Sequence, residues 1–322
     1  MGKIIERIER ELGVPGLVYL LAERLEPTDL QSLLLEVYRQ RARHRRPWDV
    51  LADYESNRFV QPARVSPSRL HDWERVAFSQ LPPQFEWLEL SPVCPLGTNS
   101  AVATVDQNWA ISTVRNTEVV SDSTNVLALE CALRRRQLLR EQPKSTEQVH
   151  LAAGHRLVRA QRYDAPGLLP HFHLLALCSA GRDMGRLQFE LDSLALHIRF
   201  YVHSLRAFLG AQIGLRVAVS DLAPQAREEA IAAQLIHPMQ EELGVEGYFD
   251  GQRTSGRGYY LDLCFHIYAL APSGRWLELV DGGSVDWTQK LLSNSKERLL
   301  ISGIGSERVC MEFSDQAAAS GL

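Results

Sequence analysis

Cysteine is scarce and scattered in this chain of 322 residues. Cys94, Cys131, Cys178, Cys264 and Cys310 form no CxxC pair and no Cys/His pair at zinc-site spacing. An odd number, widely spaced, excludes a disulfide framework and a structural zinc. Cys94, Cys178 and Cys264 stand in apolar runs and read as small core residues. Long hydrophobic runs are missing as well: none approaches the ~20 residues that cross a bilayer. The first residues, Met1-Gly-Lys-Ile-Ile-Glu, are charged and amphipathic, unlike a signal peptide. No membrane contact is expected, and the expected compartment is the cytoplasm. Positive charge is not in excess either. A formal net charge of −4 argues against a strongly basic nucleic-acid binder. Two basic runs, Arg41 to Arg46 and Arg134 to Arg136, read as solvated helix ends. Neither GxxxxGKS/T nor GxGxxG after a strand occurs, which excludes the two commonest phosphate-binding folds. No Ser/His/Asp or Cys/His arrangement stands out for covalent catalysis.

What is present is an ordinary globular composition, 45% hydrophobic and 23% charged. That length suits one large α/β domain or two small ones. Residues 1–62 read as a helical N-terminal segment: Leu30, Leu33, Leu34 and Val37 recur at helical spacing after Pro27-Thr28-Asp29. Pro62 and Pro67 mark a linker, and residues 63–322 form the principal domain. Helical patterns follow over 68–80, 123–136, 185–209 and 227–242. Strand patterns fall at 85–90, 101–115, 149–162, 171–180, 217–221, 258–270, 275–281 and from 297 into the glycines at 303 and 305. Strands in hairpins, interrupted by helices rather than alternating with them, predict an antiparallel-rich α+β domain. His171 and His173 flank Phe172 on the opposite strand face, with no third ligand at metal-site spacing. His197 and His203 read as packed or polar helix residues.

Three ordered landmarks resemble the motifs of class II aminoacyl-tRNA synthetases, closest to the histidyl and phenylalanyl branches. The likeness spans about residues 66 to 318. Ser68 to Gln80, followed by Phe85-Glu-Trp-Leu-Glu-Leu-Ser-Pro92, is similar to the helix and strand used there in dimerisation. Gly154-His-Arg-Leu-Val-Arg159-Ala-Gln161, a loop, and His171-Phe172-His173 resemble the second motif. By that resemblance Arg159 holds the ATP α-phosphate and Phe172 stacks on adenine. A guanidinium supplies fixed, charge-assisted donors that follow the charge into the transition state. Gln161 stands where the family usually has Glu; it can bond an adenine edge but brings no charge. Ser302-Gly303-Ile-Gly305-Ser-Glu-Arg308 is similar to the third motif, whose glycines pass beneath the nucleotide and whose Arg reaches the γ-phosphate.

Further carry-overs concern the substrate and the metal. Trp276-Leu-Glu278-Leu-Val-Asp281-Gly-Gly resembles the strand whose acidic residue binds Mg²⁺ in phenylalanyl enzymes. Glu278 and Asp281 would point to opposite faces of a regular strand, so they share a metal only if the glycines bend the chain. Glu278 is the first choice. Arg257-Gly-Tyr-Tyr260 is similar to the Arg-Gly-x-x-Tyr-Tyr stretch that contacts the activated carboxylate, with spacing different by two residues; a turn into a strand is the alternative. Glu118, Asp122 or Thr124 would face a substrate amine, with Glu118 favoured, while Ser121-Asp-Ser123 also reads as a helix N-cap.

The resemblance implies ATP and Mg²⁺ as cofactors and attack of a carboxylate on the α-phosphate to give an adenylate. The substrate would be an amino acid or small carboxylic acid, and the acceptor a carrier, a protein or an amine. A homodimer is implied by the first motif. Histidyl-type enzymes carry an anticodon-binding domain after the third motif. Here a short tail ends in Ala-Ala-Ala-Ser-Gly-Leu322, so recognition of a whole tRNA is not expected. A free-standing paralogue is expected, either an adenylate-forming ligase or a catalytically silent regulatory subunit.

Overall fold

The computed structural model describes residues 2–161, 170–223 and 227–314. Helices α1 (Gly2–Leu12), α2 (Leu17–Tyr19), α3 (Pro27–Arg43) and α4 (Pro47–Ser56) come first. None of them buries a residue. Burial begins at Val65, and α5 (Pro67–Ser79) is the first helix with a core face, through Leu70, Trp73 and Ala77.

Strand β1 (Phe85–Trp87) precedes a small antiparallel pair, β2 (Val93–Pro95) with β3 (Thr117–Val119). Most of the stretch 101–115 is not the strand its alternation predicts. A π-turn at Thr98–Val102 and a 3-10 turn at Gln107–Trp109 replace it. The cause is Glu118, which is fully buried and draws the chain around its carboxylate. It accepts from the backbone N–H of Gly97 (3.2 Å) and Asn99 (2.8 Å) and from the amides of Asn99 and Gln107 (2.6 Å each). A carboxylate enclosed in this way must collect donors, and the segment wraps it instead of pairing as a ladder.

The main sheet follows, with α6 (Ser123–Glu141), β4 (Val149–Val158), β5 (His171–Arg182), α7 (Gln188–Leu209) and β6 (Leu215–Asp221). Short helices α8 (Glu228–Ile231) and α9 (His237–Leu243) lead to β7 (Glu246–Phe249). The chain ends through β8 (Leu263–Leu270), β9 (Trp276–Val285), α10 (Trp287–Leu292), β10 (Glu297–Gly305) and α11 (Ser306–Glu312). Eight strands lie in the order β1-β4-β5-β10-β9-β8-β6-β7. The edge pairs β1–β4 and β6–β7 are parallel, and the inner pairs are antiparallel. This is the expected α+β architecture, an antiparallel-rich sheet flanked by helices with a helical segment in front.

Both faces of the sheet are covered. Leu175 and Leu177 of β5, with Leu300 and Ile304 of β10, pack with the α7 stripe Leu191, Leu194, Ile198, Tyr201 and Leu205. Leu174, Ala176, Cys178 and Ala180, with Leu299 and Ile301, pack with Leu127, Ala128 and Cys131 of α6 and Trp287 of α10. Period-2 alternation sends neighbours to opposite cores, so β5 reads as a continuous apolar run. All five cysteines are buried as free thiols.

Candidate active site

A cavity of about 410 Å³ opens on the α6 side of the sheet, at the N-terminal end of that helix. Its wall includes Asp122, Thr124, Arg159, Gln161, Tyr260, Glu278, Asp281, Gly303, Gly305 and Arg308. Residues singled out in separate stretches of sequence therefore meet at one hollow.

Arg159 is positioned by its backbone. It follows the last residue of β4, and its N–H donates to the Pro170 carbonyl at 2.7 Å. The next N–H, of Ala160, donates to the Trp109 carbonyl at 2.9 Å, which brings the Trp109 turn to the cavity wall. The guanidinium donates from Nε to the Ser121 carbonyl (2.9 Å) and from Nη2 to Asp122 Oδ2 (2.7 Å). It also lies 5.1 Å from the centroid of the Phe172 ring. Phe172 sits beneath Arg159 and is not on the cavity wall. Asp122, and not Ser121 or Ser123, caps α6: its Oδ1 accepts from the N–H and hydroxyl of Thr124 (2.9 and 2.8 Å).

The far wall is β10 running into α11. A Cβ at Gly303 would press on the Leu174 side chain at 3.3 Å, so the bare backbone keeps the floor open. A Cβ at Gly305 would meet Arg308 at 3.5 Å, an ordinary contact; space does not demand that glycine. Arg308, in the first turn of α11, is exposed and has no hydrogen-bond or ion-pair partner among the described residues.

Glu278 and Asp281 lie on the same face, but not because glycines bend the strand. Opposite Ile267 and Tyr268 of β8, strand β9 carries a β-bulge. Tyr268 pairs with Glu278 while Ile267 pairs with Val280. The extra residue, Leu279, resets the alternation, which puts position 281 on the side of position 278. Both carboxylates approach His266 Nε2, at 3.7 Å from Glu278 and 3.3 Å from Asp281. Gly282 and Gly283 serve close packing instead. A Cβ at either would stand 2.5 Å from Ser302 Cβ or 2.7 Å from Cys264 Cβ.

Two expected binders are placed elsewhere. Glu118 is fully buried in the Gly97–Gln107 turn and does not reach the cavity; of these two carboxylates, Asp122 is the one on the wall. Arg257 is exposed, carried outward between Gly256 and Gly258, whose φ angles of 79° and 82° turn the chain. Such angles are open to glycine and strained for other residues. The buried arginine here is Arg253, which donates from Nη2 to Asp281 Oδ1 (2.8 Å) and lies 5.5 Å from the Tyr260 ring centroid. Arg257 stands two residues nearer to Tyr259 than the Arg-Gly-x-x-Tyr-Tyr pattern asks, and Arg253 two farther. Spacing therefore could not choose between them. Tyr260 is buried on the wall, and burial pushes its hydroxyl well above the ordinary tyrosine range. Burial also acts to raise Asp281, but hydrogen bonds from His266 and Arg253 outweigh it and hold the carboxyl below its usual value. His266, Arg253 and Trp109 carried no sequence signal of their own.

No set of three or more His, Cys, Asp or Glu among the described residues could hold a metal ion. Mg²⁺ does not require one, because it keeps waters and binds through one or two carboxylates plus phosphate oxygens. Glu278 and Asp281 fit that donor set. Arg308 and the open glycine floor fit a polyanion beside it.

No sequence-family profile and no curated protein matches the chain. Solved structures do. An ATP phosphoribosyltransferase regulatory subunit/histidyl-tRNA synthetase from Bacillus halodurans aligns with a TM-score of 0.60 at 12% identity, over 79% of this chain and 83% of that one. The apo histidyl-tRNA synthetase of S. aureus gives 0.57 at 14% identity, over 80% and 71%. A histidine–tRNA ligase subunit from Alicyclobacillus acidocaldarius gives 0.56 at 12% identity, over 80% and 96%. At such identities the likeness shows the fold, which is that of a class II synthetase-type core.

Proposed function

We propose that this class II synthetase-type core binds ATP with Mg²⁺ in the Arg159–Arg308 cavity and activates an amino acid or small carboxylic acid as its adenylate. The observation that supports this reading is the convergence of Arg159, Arg308, Glu278 and Asp281 on one hollow floored by Gly303. Arg159 would donate to the α-phosphate and stabilise the charge that grows there when the acid attacks. Arg308 would hold the far end of the triphosphate. Mg²⁺ on Glu278 and Asp281 would neutralise phosphate charge and fix the leaving pyrophosphate. The chain's own part is positioning and electrostatics, with no covalent step on a side chain. A homodimer through α5 and β1 belongs to the same reading. Phe78, 60% exposed at the end of α5, packs edge-on against Trp87 of β1 and offers apolar surface there.

Pyrophosphate exchange tests the reading. Protein, ATP, Mg²⁺ and pooled amino acids should exchange labelled pyrophosphate, and Arg159→Ala should lower the rate at least about 100-fold. ATP binding without exchange across a broad panel of acids would favour a second reading, a catalytically silent regulatory subunit. One observation supports that alternative: the wall carries the uncharged Gln161 where the resemblance asks for Glu.

A further inference from the structure

Arg159 and Asp122 stand on the wall of one cavity and are bound to each other, Nη2 to Oδ2, at 2.7 Å. Neither group is idle elsewhere. Among the described residues the guanidinium of Arg159 also meets the Ser121 carbonyl and the Phe172 ring, and the other oxygen of Asp122 is occupied by Thr124. Arg308, across the same hollow, has no such counter-ion among the described residues.

On the proposed reading, Arg159 must turn its donors to a phosphate. An anion arriving there meets the Asp122 carboxylate at ion-pair distance. It has to compete for the guanidinium and tolerate a like charge beside it. A cation on Asp122 removes both penalties at once. The ammonium of an amino acid, held with its carboxylate toward Arg159, supplies that cation; a simple carboxylic acid does not.

We infer that the Arg159–Asp122 pair is an internal latch that opposes ATP binding in the free protein and is released when a substrate ammonium takes Asp122. This rests on the reading above and adds to it a regulation of the site. ATP and an amine-bearing acid then each strengthen the other's binding, because the cost of opening one ion pair is shared. Acids without an amine gain no such help.

The sign of one substitution decides the matter. Asp122→Asn keeps the helix cap, since Asn caps as well as Asp, and circular dichroism with a melting curve verifies the fold. Calorimetric titration with ATP and Mg²⁺ should show the variant binding at least about fivefold more tightly than the wild type. Unchanged or weaker binding would overturn the latch, because a carboxylate that merely positions Arg159 gives that result. A second titration uses the wild type with a pool of the twenty amino acids or with the matching pool of 2-hydroxy acids. Only the first pool should tighten ATP, and Asp122→Asn should abolish the difference. Equal effects of the two pools would also overturn the proposal. If neither protein binds ATP, the reading of the cavity fails first and the latch with it.

Discussion

Arg135 and Glu297 form an ion pair from which solvent is wholly excluded, with Nε–Oε2 at 2.8 Å and Nη2–Oε1 at 3.0 Å. The guanidinium also donates to the carbonyls of Ser145 and Glu147, so its donors are well used. The pair ties α6, whose N-terminal cap is Asp122, to the first residue of β10, which carries Gly303 and Gly305 at its other end. Removing one partner leaves an uncompensated charge in the core. Glu297→Ala should cost about 3–5 kcal/mol in urea denaturation. Replacing both partners by apolar residues of similar volume should cost much less. A loss below about 1 kcal/mol for the single change would mean that water reaches Arg135.

A chain of hydrogen bonds runs inward from half-buried His150 through Ser179 and His197 to Ser302 and Tyr201, each link between 2.7 and 3.0 Å. Burial pushes His150 down to about 4 and His197 well below its ordinary value. The unfolded chain takes up protons on both near pH 6.5, and the folded chain does not. Stability is therefore fully present above about pH 6.5 and falls as pH drops toward 4, by at most about 1.4 kcal/mol per unit for each histidine. Glu74 and Glu190, raised by burial, act in the opposite direction. The readout is thus the difference in slope of urea midpoint against pH between wild type and His197→Gln. A variant slope as steep as the parent's would reject this.

Legibility in the sequence followed locality. The α7 stripe from Leu191 to Leu205 and the strand-to-helix run from Glu297 to Arg308 were readable because period and turn residues lie within one segment. The hollow shared by Arg159 and Arg308 was reachable only by resemblance, since pairings of β10 with β5 and β9 create it. Glu118 misled because the spacing of carboxylates near a helix start cannot say which one the fold will enclose. The bulge at Leu279 was invisible for a similar reason. It exists as a mismatch between β8 and β9, and neither strand alone carries its signal.

The two carboxylates that the bulge brings together are not equivalent. Asp281 already has Arg253 at 2.8 Å, whereas among the described residues Glu278 has His266 alone, at 3.7 Å. A charge that is already answered contributes less to a new cation. Glu278→Gln should therefore weaken Mg²⁺-dependent ATP binding about tenfold, and Asp281→Asn less. Calorimetry with and without Mg²⁺ separates the metal's part from the nucleotide's. If Asp281→Asn has the larger effect, the metal sits on Asp281 and the assignment reverses.

The first four helices present a last case. Among the described residues none of α1 to α4 is buried, and Ile4, Tyr38 and Trp48 are 56%, 59% and 61% exposed. Among the described contacts, the tie to the sheet at this junction is the Gln61 carbonyl, 2.6 Å from His171 Nε2. Amphipathic helices without a buried face add little to the stability of a neighbouring core. A chain starting at Gln61 should consequently fold as the full chain does and melt within about 3 °C of it. Scanning calorimetry of both proteins makes the comparison. A truncated chain that melts far lower, or does not fold, would show that residues 1–62 are part of the core's cooperative unit and that the boundary before residue 63 does not divide independent parts.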